Sequence, residues 1–113
     1  MESLPYEMRV IADPDAHTVQ LTGEIDYASS LDLRPQLHEL TANCCNNLLI
    51  DLNEVSFIDS EGIKTLIAMV SWMQERQGEA RIVRCSPCVA RVLKIVGLDY
   101  LLPIEQRMAH CDI

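Results

Sequence analysis

The stretch from Leu48 to Leu66, LLIDLNEVSFIDSEGIKTL, constrains the fold more than any other part of this chain. Leu48, Leu49, Ile50 and Leu52 form a short apolar run without helical period, interrupted once by Asp51, which is the pattern of a strand covered on both faces. From Ile63 the period changes. Ile63, Leu66, Ile67, Val70 and Met73 recur at helical spacing, so a helix is expected to begin directly after Gly62. The turn between them, Ile58-Asp59-Ser60-Glu61-Gly62, therefore sets a serine between two acids at a helix N-terminus. Chemistry in this protein is to be sought there first.

The flanking segments determine what that strand pairs with. Tyr6 to Ala12 and Thr18 to Gly23 alternate as half-buried strands do, with Met8, Val10 and Ala12 inward in the first and Val19 and Leu21 in the second. Asp13-Pro14-Asp15-Ala16-His17 joins them as a turn, since proline presets one backbone angle and aspartate bonds neighbouring amides. After Gly23-Glu24-Ile25-Asp26, Leu33, Leu37 and Leu40 mark a helix from about Ala28 to Ala42, with Ser29 or Ser30 as its cap. Pro35 predicts a kink or an irregular first turn, because proline removes a hydrogen bond and crowds the carbonyl four residues earlier.

Gly78 is placed to end the central helix in a left-handed conformation, and Trp72 lies outside its apolar stripe as a half-buried rim residue. Ala80 to Cys85 reads as the next strand. Ser86-Pro87 then opens a helix as cap and first residue, with Val89, Val92, Leu93 and Val96 inward and Gly97 as its stop. Leu98 to Ile104 is expected to hold a last short strand, kept at an edge by Pro103. Two strand-helix-strand units favour parallel neighbours with right-handed crossovers, and the hairpin adds an antiparallel pair. The class is α/β, a small mixed sheet with helices packed on it, and 113 residues are expected to form one domain over 1–113.

The formal net charge of -8, with no cluster among nine basic residues, argues against phosphate-backbone binding, so no nucleic-acid partner is expected. Carboxylates gather instead at the central turn as Glu54, Asp59 and Glu61. No apolar run approaches the ~20 residues that span a bilayer, and MESLPYEM has neither the basic start nor the apolar stretch of a secretory signal. A cytoplasmic protein without membrane partners is expected. Cys44, Cys45, Cys85, Cys88 and Cys111 are an odd set in such a chain and read as free thiols whose role the sequence leaves open.

On its residues alone, Ser60 has two readings. It is a helix cap contributing roughly 0.5–2 kcal/mol, or it is a phosphorylation site where exposed amides and the helix dipole favour an anion. Phosphate beside Asp59 and Glu61 would concentrate negative charge and repel a partner fitted to the unmodified surface. Hydrolysis is disfavoured: the turn is not a Gly-x-Ser-x-Gly elbow, and no pattern brings His17, His38 or His110 to Ser60. Asp26 and Asp59 read as turn or cap residues rather than as an acid-base pair. Cys85-Ser86-Pro87-Cys88 sits between a strand and a helix as a redox pair would, which keeps a thiol oxidoreductase as the alternative of another class. Only 25 residues follow Cys88, too few for a thioredoxin-like layout, and a zinc site there would need two more ligands. No glycine-rich phosphate loop is present, and no cofactor or metal is expected.

Leu21-Thr22-Gly23-Glu24-Ile25-Asp26, Asp51-Leu52 through Val55-Ser56-Phe57-Ile58-Asp59-Ser60-Glu61-Gly62-Ile63, and Ser86-Pro87 through Val92-Leu93 to Val96-Gly97-Leu98 together resemble the STAS domain, the sulfate transporter and anti-sigma factor antagonist family, and above all its stand-alone bacterial members. The resemblance implies a mixed sheet of four or five strands with helices mainly on one face. It also implies an anti-sigma factor antagonist, not an enzyme. Its partners would be an anti-sigma factor that is a serine kinase, which phosphorylates Ser60 and is released, and a serine phosphatase that restores binding. Asp26 and Asp59 match the family's acidic positions, and the switch surface would comprise Asp26, Asp59, Ser60, Glu61, Gly62 and Lys64 of a monomer. Glu61 stands where the family usually has a small residue, placing charge beside the serine before any phosphorylation, and Lys64 can screen it. The alternative within the fold is a STAS subunit of another signalling or lipid-transport complex, without phosphorylation.

Overall fold

Apolar strand residues need a layer to cover them, and three helices supply it here. The computed structural model describes residues 5–103. A hairpin of β1 (Tyr6–Ala12) and β2 (His17–Ile25) leads into helix α1 (Tyr27–Asn43), strand β3 (Asn47–Ile58), helix α2 (Ser60–Glu75), strand β4 (Glu79–Cys85), helix α3 (Pro87–Ile95) and a 3-10 turn at Asp99–Leu101. The strands lie in the order β1-β2-β3-β4, the first pair antiparallel and the other two parallel. Val19 and Leu21 of β2, Leu48, Ile50 and Leu52 of β3, and Ile82 of β4 share one buried cluster with Leu33 and Leu37 of α1, Met69 and Met73 of α2 and Leu93 of α3. Asp51, the single break in the apolar run, is buried and held by the Asn53 amide at 3.0 Å, the Gln20 Nε2 at 3.3 Å and the Arg84 guanidinium at 3.6 Å. Its charge is paired rather than stranded.

The expected elements as far as α3 are present, with corrections at their ends. The central strand extends over Asn47–Ile58, well past Leu52, and α2 begins at Ser60 rather than after Gly62. Helix α1 runs unbroken through Pro35, where a kink or irregular first turn is predicted. Leu31 and Pro35 are both exposed, so the carbonyl that proline leaves unbonded lies on the solvent side of the helix, where water can satisfy it. Its cap is Asp26, whose Oδ1 accepts the Ser29 amide at 2.9 Å, rather than Ser29 or Ser30. Ser29 is buried inside the first turn and donates its hydroxyl to the Glu24 carbonyl at 2.9 Å.

The last strand expected over Leu98–Ile104 is absent from the described residues, beyond which Ile104 lies; the 3-10 turn takes its place. Leu98 donates its amide to Leu93 at 2.7 Å, and Leu101 and Leu102 donate theirs to Leu98 and Asp99, both at 3.0 Å. These local bonds use the donors a strand would need, and Leu102 is buried instead. Four inward assignments also change. Val10 and Ala12 are exposed on the edge strand β1, Ile67 faces out with Met69 taking the inner position, and Val96 is exposed at the end of α3.

Helix α2 ends in a Schellman turn one residue earlier than Gly78 suggests. Gly78 donates to the Met73 carbonyl at 2.8 Å and Gln77 to that of Gln74 at 3.0 Å, so the left-handed residue is Gln77, at φ 63°. Gly78 serves close approach, since a Cβ there would lie 2.9 Å from both the Asn46 carbonyl oxygen and the Met73 Cε. Gln77→Gly is expected to stabilise the fold by about 0.5–1 kcal/mol, raising Tm by roughly 3 °C in scanning calorimetry. An unchanged or lower Tm would show that Gln77 is not strained.

Candidate functional site

Two parallel strands that end in register deliver two helix caps side by side. Ile25 and Ile58 are register partners, and the Asp59 amide donates to the Ile25 carbonyl at 3.3 Å. Asp26 and Asp59 follow them at the same end of the sheet, capping α1 and α2. Hydrogen bonding from the Ser29 amide holds the Asp26 carboxyl below the usual carboxylate range, so it is ionised at neutral pH. Asp59 Oδ1 accepts the amides of Glu61 and Gly62, both at 3.0 Å.

This corrects the reading of Ser60 as a cap. Asp59 performs that task, and Ser60 is the first residue of α2, exposed, with its hydroxyl in no hydrogen bond to the described residues. Ser60 is flanked by anchored backbone: Ile58 and Ile63 are buried, and a Cβ on Gly62 would lie 2.4 Å from the Ile25 carbonyl oxygen and 2.5 Å from Ile58 Cγ1. The turn is thus rigid on its inner side and open on the side of the serine hydroxyl.

Glu61 does not stand as an isolated charge. Lys64 Nζ lies 3.2 Å from its carboxylate, an exposed i,i+3 pair of small energetic weight that nonetheless offsets the local charge. The surface beside this turn is partly apolar, with Phe57 and Tyr27 about half exposed. Between α1 and α2 lies a groove of about 480 Å³ lined by Tyr27, Leu31, Arg34, His38, Glu61 and Trp72. Arg34 spans it, donating to the Thr65 hydroxyl at 3.0 Å and to the Glu61 carbonyl at 3.5 Å, while its Nε and the Ser30 hydroxyl are buried without partners among the described residues. No spacing in the sequence signals Arg34, because its partners lie on another helix. Trp72 is half-buried as expected, with His38 edge-on at 4.8 Å between ring centroids.

Cys85-Ser86-Pro87-Cys88 is used structurally. β3 pairs with β4 only as far as Leu52 and Cys85, so the later Val55 carbonyl has no strand partner there. The Ser86 hydroxyl, buried and not capping α3, donates to it at 2.6 Å, and the Cys88 thiol at 3.4 Å. Burial pushes the pKa of the Cys85 thiol up to about 12, with Cys88 adding to the shift. A redox pair needs an accessible thiolate, and this arrangement works against one. Ser86→Ala is expected to destabilise the fold by about 1–2 kcal/mol in urea denaturation, since the weaker thiol bond alone would then serve a buried carbonyl. A loss below ~0.5 kcal/mol would show the hydroxyl to be dispensable.

The STAS domain family model matches residues 7–110 of this chain. The chain belongs to the STAS domain family. Among its STAS relatives, a protein of Paenibacillus polymyxa described as an anti-sigma F factor antagonist is 29% identical over 87 residues, spanning 76% of this chain and 74% of its own length. The anti-sigma factor antagonist SpoIIAA in its unphosphorylated form shares the fold with a TM-score of 0.72 at 18% identity, over 84% of both chains. The Bacillus cell fate determinant SpoIIAA in its phosphorylated form does so with a TM-score of 0.67 at 16% identity, over 84% of this chain and 87% of that one. The mixed four-stranded sheet described above is therefore the STAS fold. Among the described residues, no helix is long and apolar enough to cross a membrane.

Proposed function

We propose that this STAS domain is an anti-sigma factor antagonist, a binding module without catalysis of its own, switched by phosphorylation of Ser60. The unphosphorylated form binds an anti-sigma factor that is also a serine kinase. Phosphate transfer to Ser60 ends that binding, and a serine phosphatase restores it. The observation that carries this reading is the division of labour in one turn: Asp59 caps the helix, which leaves the exposed Ser60 hydroxyl unengaged. The relative from Paenibacillus polymyxa, described as an antagonist of the same kind, supports it, as does the existence of SpoIIAA, of like fold, in a phosphorylated form.

The geometry also bears on how a phosphate would act. Two of the amides that an anion at a helix N-terminus would use are already bonded to Asp59. A phosphate on Ser60 would thus extend outward as added surface charge of about -1.5 to -2 rather than fold back onto the helix. Asp26, Asp59, Ser60, Glu61, Gly62 and Lys64, with the neighbouring groove, form the face offered to the kinase.

The test is to incubate the full chain with each serine-kinase anti-sigma factor of its host and ATP, and to weigh the product. A gain of about 80 Da, one phosphate, is expected for the wild type and absent in Ser60→Ala. No gain with any kinase would overturn the switch and favour a STAS subunit of another assembly, a reading consistent with the fixed charge of Glu61 beside Ser60.

A further inference from the structure

The start of the sheet, at the end opposite Ser60, carries a second cluster of reactive side chains. His17 opens β2, Cys44 ends α1 in extended backbone (φ -78°, ψ 158°), and Cys45 follows just before β3. His17 and Leu48 are register partners, so the hairpin turn and the α1–β3 junction meet here. His17 Nδ1 lies 3.3 Å from Cys45 Sγ, and one ligand atom from each of His17, Cys44 and Cys45 falls within 4.8 Å of the others. None of the three belongs to the Ser60 face or to the Cys85–Cys88 loop.

We propose that His17, Cys44 and Cys45 bind a thiophilic metal ion of the Zn2+ class. Two sulfurs and one imidazole nitrogen are the donor set such ions select, and three protein ligands leave a fourth position for water or an added ligand. With Zn–S near 2.3 Å and Zn–N near 2.0–2.1 Å, a tetrahedral site would set nitrogen and sulfur about 3.5 Å apart and the two sulfurs about 3.8 Å apart. The observed 3.3 Å and the 4.8 Å bound differ from these separations by no more than about 1.3 Å.

Cys44 is enclosed, where burial pushes the pKa of its thiol up to about 11 so that the ion must compete with a proton, while His17 and Cys45 are half-buried, giving a closed side and an open one. The surrounding backbone is tied in place. Arg76 donates to the carbonyls of Thr41 and Cys44, both at 2.6 Å, and the Asn47 side chain donates to the Asp15 carbonyl at 3.2 Å, joining the hairpin turn to the same loop. On binding, each thiol gives its proton to solvent as its sulfur takes the metal, and His17 enters as neutral imidazole, so two thiolates balance the dication. The ion would clamp the start of β2 to the end of α1.

The site departs from the expectation of no metal, because its third ligand comes from the hairpin rather than from the Cys85–Cys88 loop. To test it, the fully reduced full chain is titrated with Zn2+ by calorimetry, and with Co2+ by absorbance, where thiolate-to-cobalt charge transfer and the visible bands of a tetrahedral ion report sulfur ligation. One ion per chain is expected in the wild type and in a control with Cys85→Ser, Cys88→Ser and Cys111→Ser. Affinity should fall at least about 100-fold in Cys45→Ser and at least about 10-fold in His17→Asn. Zn2+ should raise Tm in the wild type and the control but not in Cys45→Ser. Both altered residues are half-buried, so either variant can serve if circular dichroism shows the other to be misfolded. No saturable binding in the wild type, binding that persists in both variants, or binding lost in the control would each overturn the site.

Discussion

Gly62→Ala is expected to lower stability by about 3 kcal/mol, a large part of the ~5–15 kcal/mol that holds a domain of this size together. The added methyl would sit 2.4 Å from the Ile25 carbonyl oxygen and 2.5 Å from Ile58 Cγ1. Neither neighbour can yield easily. The Ile25 carbonyl already accepts the Asp59 amide, and Ile58 is a buried register partner of Ile25. Relief would require the first turn of α2 to lift from the sheet, loosening the Asp59 cap and the presentation of Ser60 together. Thermal unfolding should show Tm reduced by roughly 12 °C. Gly97→Ala offers the contrast: its φ of +81° strains a side chain, but open space surrounds it, so about 1 kcal/mol is expected. Equal losses in the two variants would mean that close packing at Gly62 is not what the glycine provides.

Ser60→Asp is expected to weaken binding to the proposed kinase partner at least about 100-fold, or about 2.7 kcal/mol, while the domain stays folded. Asp59, which precedes the serine, is committed to the helix amides, and Asp26 lies alongside it at the end of the neighbouring strand. Lys64 is paired with Glu61. A new carboxylate at position 60 therefore finds no cation among the described contacts and adds its charge to an acidic surface that the partner must approach. Phosphoserine, with nearly twice the charge, should bind more weakly still. Ser60→Ala should retain wild-type affinity, since the hydroxyl has no partner within the described residues to lose. Calorimetric titration of the wild type and the two variants at one ionic strength decides the matter; equal affinity of the wild type and Ser60→Asp would rule out charge repulsion. Raising salt should narrow the gap between them, because the charges involved are exposed.

Much of this site was legible in the chain. The change of hydrophobic period at Ile58–Ile63 located the strand, the helix and the acidic turn between them, because periodicity records which side faces the core. Gly97, in left-handed conformation at φ +81°, ended α3 as its residue type suggests. Where several local solutions were open, the sequence did not choose among them. Aspartate and serine both cap helices well, so the assignment of the cap to Asp59 rather than Ser60, and to Asp26 rather than Ser29, depended on how each strand hands its chain to the next helix. Likewise Gln77, not Gly78, took the left-handed position, because Gly78 was needed where the backbone of Asn46 comes close.

By itself, then, the sequence determined the order of elements as far as α3, the parallel central strands and a serine at an acidic helix N-terminus, because each follows from patterns within a few residues. Tertiary structure alone decided which polar groups meet. Arg34 reaches across to Thr65, Ser86 supports Val55, and His17 comes to Cys45, pairs separated by 31, 31 and 28 positions. Contacts of that range are set by the register of strands and the packing of helices, and these arise only when the whole chain has closed on one core.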